Sequence, residues 1–123
     1  MEPLRRTRVL IVEDDEPLRE LYRQELVSAG FLVTAVADGV DALKRIDAGL
    51  IPDVVVLDLM LPQLNGLDVY RELKAHVQTR NVPILVVTGT DTRELDAAEF
   101  AFVFRKPVSG ATLIRAIDAA VIN

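Results

Sequence analysis

Several stretches of this chain are apolar without interruption and then stop at a polar or charged residue. Val54-Val55-Val56-Leu57 runs into Asp58, and Val9-Leu10-Ile11-Val12 runs into Glu13-Asp14. Ile84-Leu85-Val86-Val87 ends at Thr88, and a fifth strand, Ala101 to Arg105, ends at Lys106-Pro107. A run with no alternation predicts a strand buried on both faces, as in a parallel sheet. Phe31 to Val36 predicts one more strand.

Between these runs the apolar period becomes helical. Leu18, Leu21, Tyr22, Leu26 and Ala29 follow Asp15-Glu16-Pro17, with Asp15 as N-cap, Pro17 in the first turn and Gly30 as the stop. A second helix follows Asp38-Gly39, turns Val40, Leu43 and Ile46 inward and ends near Gly49. Leu59 to Gly66 reads as a loop from its Pro62 and Asn65-Gly66. A third helix then places Leu67, Tyr70, Leu73 and Val77 on one side. The polar segment after Thr88 predicts a fourth helix over about residues 93–100, capped by Thr92. Ser109 caps a last helix that buries Leu113, Ile114, Ile117 and Val121.

Strict alternation of strand and helix implies right-handed crossovers and a parallel sheet covered on both faces. At 123 residues the expectation is one domain over residues 1–123, with residues 1–7 a polar leader. The fold class expected is α/β: a flavodoxin-like (βα)5 doubly wound sheet, order 2-1-3-4-5, in three α/β/α layers. In that order the first and third strands meet at the topological switch point, where ligands bind.

Composition narrows the function. There is no cysteine, which excludes disulfides and thiolate metal sites. A net charge of −5 disfavours direct nucleic-acid binding. No apolar run reaches the roughly 20 residues of a membrane span, and a soluble cytoplasmic protein is expected.

The strand ends carry the chemistry. Glu13, Asp14 and Asp58 bring three carboxylates to one sheet edge, with Thr88 and Lys106 beside them. Crowded carboxylates repel unless a cation shares the site. An oxygen-only donor set without His or Cys selects a hard ion such as Mg²⁺, which itself favours phosphate oxygens as co-ligands. Asp58 is then the candidate nucleophile, since a carboxylate can form an aspartyl phosphate. Asp14 would ligate the metal, with Glu13 a second or water-mediated ligand. Lys106 and Thr88 would contact phosphoryl oxygens. Taken singly, each has a plainer role: Glu13 and Asp14 as helix-dipole partners, Thr88 as a strand former, Asp58 as a turn residue, Lys106 as a surface lysine. Those roles do not explain why four strand ends share one chemistry.

These residues together resemble the receiver domain of two-component response regulators, of the CheY-like superfamily. The resemblance runs from Arg8 to Val121 and rests on Glu13-Asp14, Asp58 with Leu59-Met60-Leu61-Pro62 and Asn65-Gly66, Thr88-Gly89 and Lys106-Pro107. It implies a signalling switch rather than an enzyme, which takes a phosphoryl group from the phosphohistidine of a sensor histidine kinase or phosphotransfer protein onto Asp58. It implies Mg²⁺, replaceable by Mn²⁺, held by Asp14, Asp58 and the backbone carbonyl of Met60 with help from Glu13. Thr88 and Lys106 would report the phosphoryl group to a downstream protein target or output domain. The face of fourth helix, fifth strand and fifth helix is where a homodimer would form.

The chain departs from the family in its output region. Between Thr88 and Lys106 it is about four residues short, or about 6 Å of helix, so the fourth helix is expected to be shortened. Val103 stands at the aromatic switch position, between Phe102 and Phe104, and Val108 follows Lys106-Pro107. Three other readings compete. A haloacid dehalogenase-type phosphatase also uses an Asp after a strand, but it needs an acid where Met60 stands. A flavodoxin needs a phosphate-cradling loop where Glu13-Asp14-Asp15 would repel phosphate. A receiver-like interaction module would never be phosphorylated.

Overall fold

The computed structural model describes residues 6–61, 65–89 and 100–121. The five apolar runs form one parallel sheet: β1 (Arg8–Val12), β2 (Leu32–Val36), β3 (Val54–Asp58), β4 (Ile84–Thr88) and β5 (Phe102–Arg105), in the order β2-β1-β3-β4-β5. This is the expected order. Four helices are described: α1 (Glu16–Ser28), α2 (Gly39–Asp47), α3 (Gly66–Ala75) and α4 (Gly110–Val121). The predicted helix over 93–100, and with it the expected shortening, lies almost wholly outside the described residues; Phe100 is described and is not helical.

Alternate strand residues feed two separate cores. Leu10, Val12, Val55, Leu57, Ile84 and Val86 face α2 and α3, where Ala42, Ile46, Val69 and Leu73 cover them. Val9, Ile11, Val54, Val56, Leu85 and Val87 face α1 and α4, against Leu26, Leu113 and Ile117. This two-sided burial is why β3 and β4 contain no solvent-facing position. Each fully buried Leu or Ile contributes about 1.5–3 kcal/mol of transfer free energy.

Local signals set the helix termini, at Asp15, Gly30, Gly49 and Ser109 as expected. The Asp15 side chain accepts from the Leu18 N–H, Asp38 caps α2 and Asn65 caps α3 in the same manner. Ser109 Oγ accepts from the Thr112 N–H at 3.1 Å. Gly30 and Gly49, just past α1 and α2, have positive φ.

The inward faces differ from the sequence expectation at particular positions. Leu21 and Val40 are exposed rather than inward, and Ala42 and Val69 are buried in the α2–α3 layer. Val77 is 75% exposed, because α3 ends at Ala75 and the chain turns away before it. At the far end of the sheet Phe100 packs edge-on to Tyr70, with ring centroids 4.7 Å apart. β5 pairs with β4 residue by residue, Val86 with Val103 and Thr88 with Arg105. Val103 therefore packs on the α2–α3 side, while Phe102 and Phe104 pack on the α1–α4 side.

Candidate functional site

Parallel register puts the carboxyl ends of β1, β3, β4 and β5 on one edge. Pairing of Val12 with Leu57 leaves Glu13 and Asp58 side by side, and Asp58 pairs with Val87, one residue before Thr88. Lys106 directly follows β5, and its N–H donates to the Thr88 carbonyl at 2.8 Å.

The side chains converge. Lys106 Nζ lies 2.7 Å from Glu13 Oε1 and 3.2 Å from Asp58 Oδ2, closing contacts between residues 93 and 48 positions apart. The Met60 N–H donates to the other Asp58 oxygen, Oδ1, at 2.9 Å. The Asp15 N–H donates to Glu13 Oε2 at 3.2 Å. Glu13 and Asp58 are 2% and 3% exposed, Thr88 is fully buried, and Asp14 stands exposed at the mouth. The peptide between Lys106 and Pro107 is cis.

Burial of Glu13 disfavours its charge, opposed by the Lys106 hydrogen bond and reinforced by the nearby Asp58. Its pKa is thereby raised to about 7. Burial by itself would lower Lys106, but the hydrogen bond it donates to Glu13 and the charges of Asp58 and Glu13 outweigh it, and its pKa is raised. Among the described residues, three carboxyl groups and the Lys106 ammonium meet at this edge.

Ligand atoms of Glu13, Asp14 and Asp58 lie within 4.8 Å of one another. All are carboxylate oxygens, a donor set that fits Mg²⁺ or another hard cation. The structure therefore brings the side chains of Glu13, Asp14, Asp58 and Lys106 together, with Thr88 buried at the adjacent end of β4.

Other residues hold the site and were not expected in that capacity. Gly66 is buried at the start of α3, and its N–H donates to the Leu59 carbonyl. A Cβ there would come closer than 3 Å to the Asp58 carbonyl oxygen and to the Leu59 backbone. Arg19 donates to the Glu13 carbonyl and Tyr22 to the Val108 carbonyl. Their only sequence signal is position on the helix that follows the acidic pair.

A model of the response regulator receiver domain family matches residues 9–118. The chain belongs to this family. Among curated relatives, the response regulator MprA of Mycobacterium sp. strain KMS is 45% identical over 85 residues, covering 69% of this chain and 36% of the relative. MprA of Mycobacterium ulcerans is 44% identical over 85 residues, with 69% and 35% covered. The matched stretch thus spans about a third of the length of these relatives. Solved receiver structures superimpose over nearly the whole chain. The chemotaxis response regulator CheY4 of Vibrio cholerae gives a TM-score of 0.85 at 25% identity, covering 94% of this chain and 99% of that one. The receiver domain of sensor histidine kinase PA1611 from Pseudomonas aeruginosa, which has a magnesium ion coordinated in its active site cleft, gives 0.80 at 28% identity, with 95% and 98% covered. Receiver domains are signalling switches of two-component systems. Among the described residues no helix is long and apolar enough to cross a membrane.

Proposed function

We propose that this receiver accepts a phosphoryl group on Asp58 from the phosphohistidine of a sensor histidine kinase or phosphotransfer protein. The observation that carries the reading is a buried Asp58 carboxylate, held by the Met60 N–H and Lys106 Nζ, with two more carboxylates within metal-sharing distance.

In the transfer an Asp58 carboxylate oxygen attacks phosphorus. The P–N bond to the donor imidazole breaks, and its electron pair leaves with the imidazole. The Met60 N–H orients the carboxylate before attack. The Lys106 ammonium, already among the carboxylates, balances charge on the incoming phosphoryl oxygens. The Thr88 hydroxyl, at the end of the neighbouring strand, donates to one of them. No general base is needed, because a carboxylate nucleophile has no proton to give up in the attack and catalysis is largely positioning and charge stabilisation. Asp14, Asp58 and the Met60 carbonyl, assisted by Glu13, would hold Mg²⁺, with Mn²⁺ able to substitute. When bound, the ion supplies charge neutralisation for the phosphoryl oxygens. The magnesium in the PA1611 receiver supports this assignment.

Thr88 and Lys106 then pass the change toward β5 and α4, the face for a downstream target, an output domain or a second copy of the chain. The domain itself contributes its phosphorylation and its autodephosphorylation, and acts inside the cell where such kinases deliver their phosphoryl groups.

Acetyl phosphate with Mg²⁺ should add one phosphoryl group, labile to base and hydroxylamine, seen by intact-mass spectrometry. Asp58→Asn should remove it. Equal labelling of that variant would refute the assignment, and labelling undiminished in EDTA would refute the metal requirement.

A further inference from the structure

The site is carried by two loops far apart in sequence: the one after β1, with Glu13 and Asp14, and the one after β5, with Lys106. Both are tied to the same helix. Arg19, one turn into α1, donates from Nη1 to the Glu13 carbonyl at 3.0 Å and reaches the Asp14 carbonyl at 3.5 Å. Tyr22, one turn further along, is 2% exposed and donates its hydroxyl proton to the Val108 carbonyl at 3.0 Å.

Both contacts are to backbone, so they act on where a loop lies rather than on reacting atoms. The guanidinium holds two successive carbonyls toward α1, while the Glu13 and Asp14 carboxylates lie within 4.8 Å of Asp58. A long, permanently charged donor suits that task. Lys106 is pinned on both sides. Its own N–H is fixed to Thr88 on β4, and two residues later the Val108 carbonyl is fixed to Tyr22 on α1. With its backbone held at both points, the ammonium can stay 2.7 Å from Glu13 and 3.2 Å from Asp58.

We propose that α1 is a strut for the phosphorylation site, with Arg19 a positioning residue for the acidic pair and Tyr22 a positioning residue for Lys106. This rests on the phosphoacceptor reading and adds to it a division of labour between two side chains one turn apart. Arg19 governs metal affinity, and Tyr22 governs affinity for the phosphoryl group.

The test measures Mg²⁺ by isothermal titration calorimetry and beryllofluoride, a phosphoryl mimic, by ¹⁹F NMR at saturating Mg²⁺. The variants are Arg19→Gln, Arg19→Lys, Tyr22→Phe and, as a charge control, Arg23→Gln. Arg23 pairs with Glu20 on the exposed side of α1. Arg19→Gln should weaken Mg²⁺ about tenfold, as loss of an outer-shell partner does, and leave beryllofluoride affinity at saturating Mg²⁺ close to wild type. Arg19→Lys should recover most of the loss. Tyr22→Phe should leave Mg²⁺ unchanged and weaken beryllofluoride about fivefold, in the range of one lost hydrogen bond. Arg23→Gln should match wild type. If Arg19→Gln and Tyr22→Phe weaken both ligands alike, or lower only the melting temperature, or if Arg23→Gln matches Arg19→Gln, the strut is refuted while the phosphoacceptor reading stands. A wild-type chain that binds neither Mg²⁺ nor beryllofluoride overturns that reading, and the strut with it.

Discussion

Gly66→Ala tests whether the backbone under Asp58 is as closely packed as the structure shows. Gly66 opens α3 directly against the end of β3. An added Cβ would lie 2.9 Å from the Leu59 carbonyl carbon and closer still to the Asp58 carbonyl oxygen and Leu59 Cα. Carbon atoms rest at about 3.5–4.0 Å, so one backbone must retreat by about 1 Å. The obstacle is main chain, which cannot swing aside as a side chain does. Overpacking of this kind costs about 1–3 kcal/mol. Ala offsets part of it, by about 0.4–1 kcal/mol, through the smaller entropy of its unfolded chain. A net loss of about 1–2 kcal/mol is expected, read as a lower urea midpoint with an unchanged m-value by far-UV circular dichroism. Gly89→Ala is the control, since a Cβ there meets nothing within 4 Å; its stability should stay within about 0.5 kcal/mol of wild type. Phosphorylation should suffer more than stability. The displaced peptide carries the Asp58 carboxylate, and a misplacement of about 1 Å can cost about a hundredfold in rate. Initial rates with acetyl phosphate, taken where both proteins are fully folded, measure this. A Gly66→Ala chain as stable as wild type and phosphorylated at the same rate would show that the β3–α3 junction has slack, and would refute the reasoning.

Asp14→Ala should abolish Mg²⁺ binding measured by calorimetry, and Glu13→Ala should weaken it less, because Glu13 is engaged by Lys106. Thr88→Ala should leave Asp58 phosphorylatable but remove any beryllofluoride-induced change in amide exchange over residues 102–121, measured by mass spectrometry; an unaltered response would exclude Thr88 as the relay. The pKa of Glu13 is about 7 in the fold against 4.5 in the unfolded chain, so between these values the folded state binds more protons. Its contribution is therefore complete below about pH 4.5 and is lost as pH rises through about 7. Urea titrations in EDTA from pH 5 to 8 should show stability falling, and Glu13→Gln should flatten the curve; an unchanged curve in the variant would assign the pH dependence to other groups.

The central strands were legible because a strand buried on both faces must be apolar throughout; β2 and β5, at the sheet edges, are only partly buried. The first polar residue after each of the central runs therefore marks the sheet edge, and Glu13, Asp58 and Thr88 could be placed there from order alone, with Lys106 just past the fifth strand. Caps at Asp15 and Ser109 were legible because they satisfy helix N–H groups within three residues. Helix faces were less so. Leu21, Val40 and Val77 have helical spacing, but which apolar residues are covered depends on how each helix lies on the sheet and where it ends. Tertiary structure alone decided that one ammonium bridges two carboxylates, that Asp14 stays exposed while Glu13 is buried, and that Val103 of β5 lies at the α2–α3 face. It alone decided that Gly66 abuts Asp58, and that Arg19 and Tyr22 hold the loops of the site. Those contacts join carbonyls and side chains through space, and no periodicity along the chain encodes which carbonyl a side chain will meet.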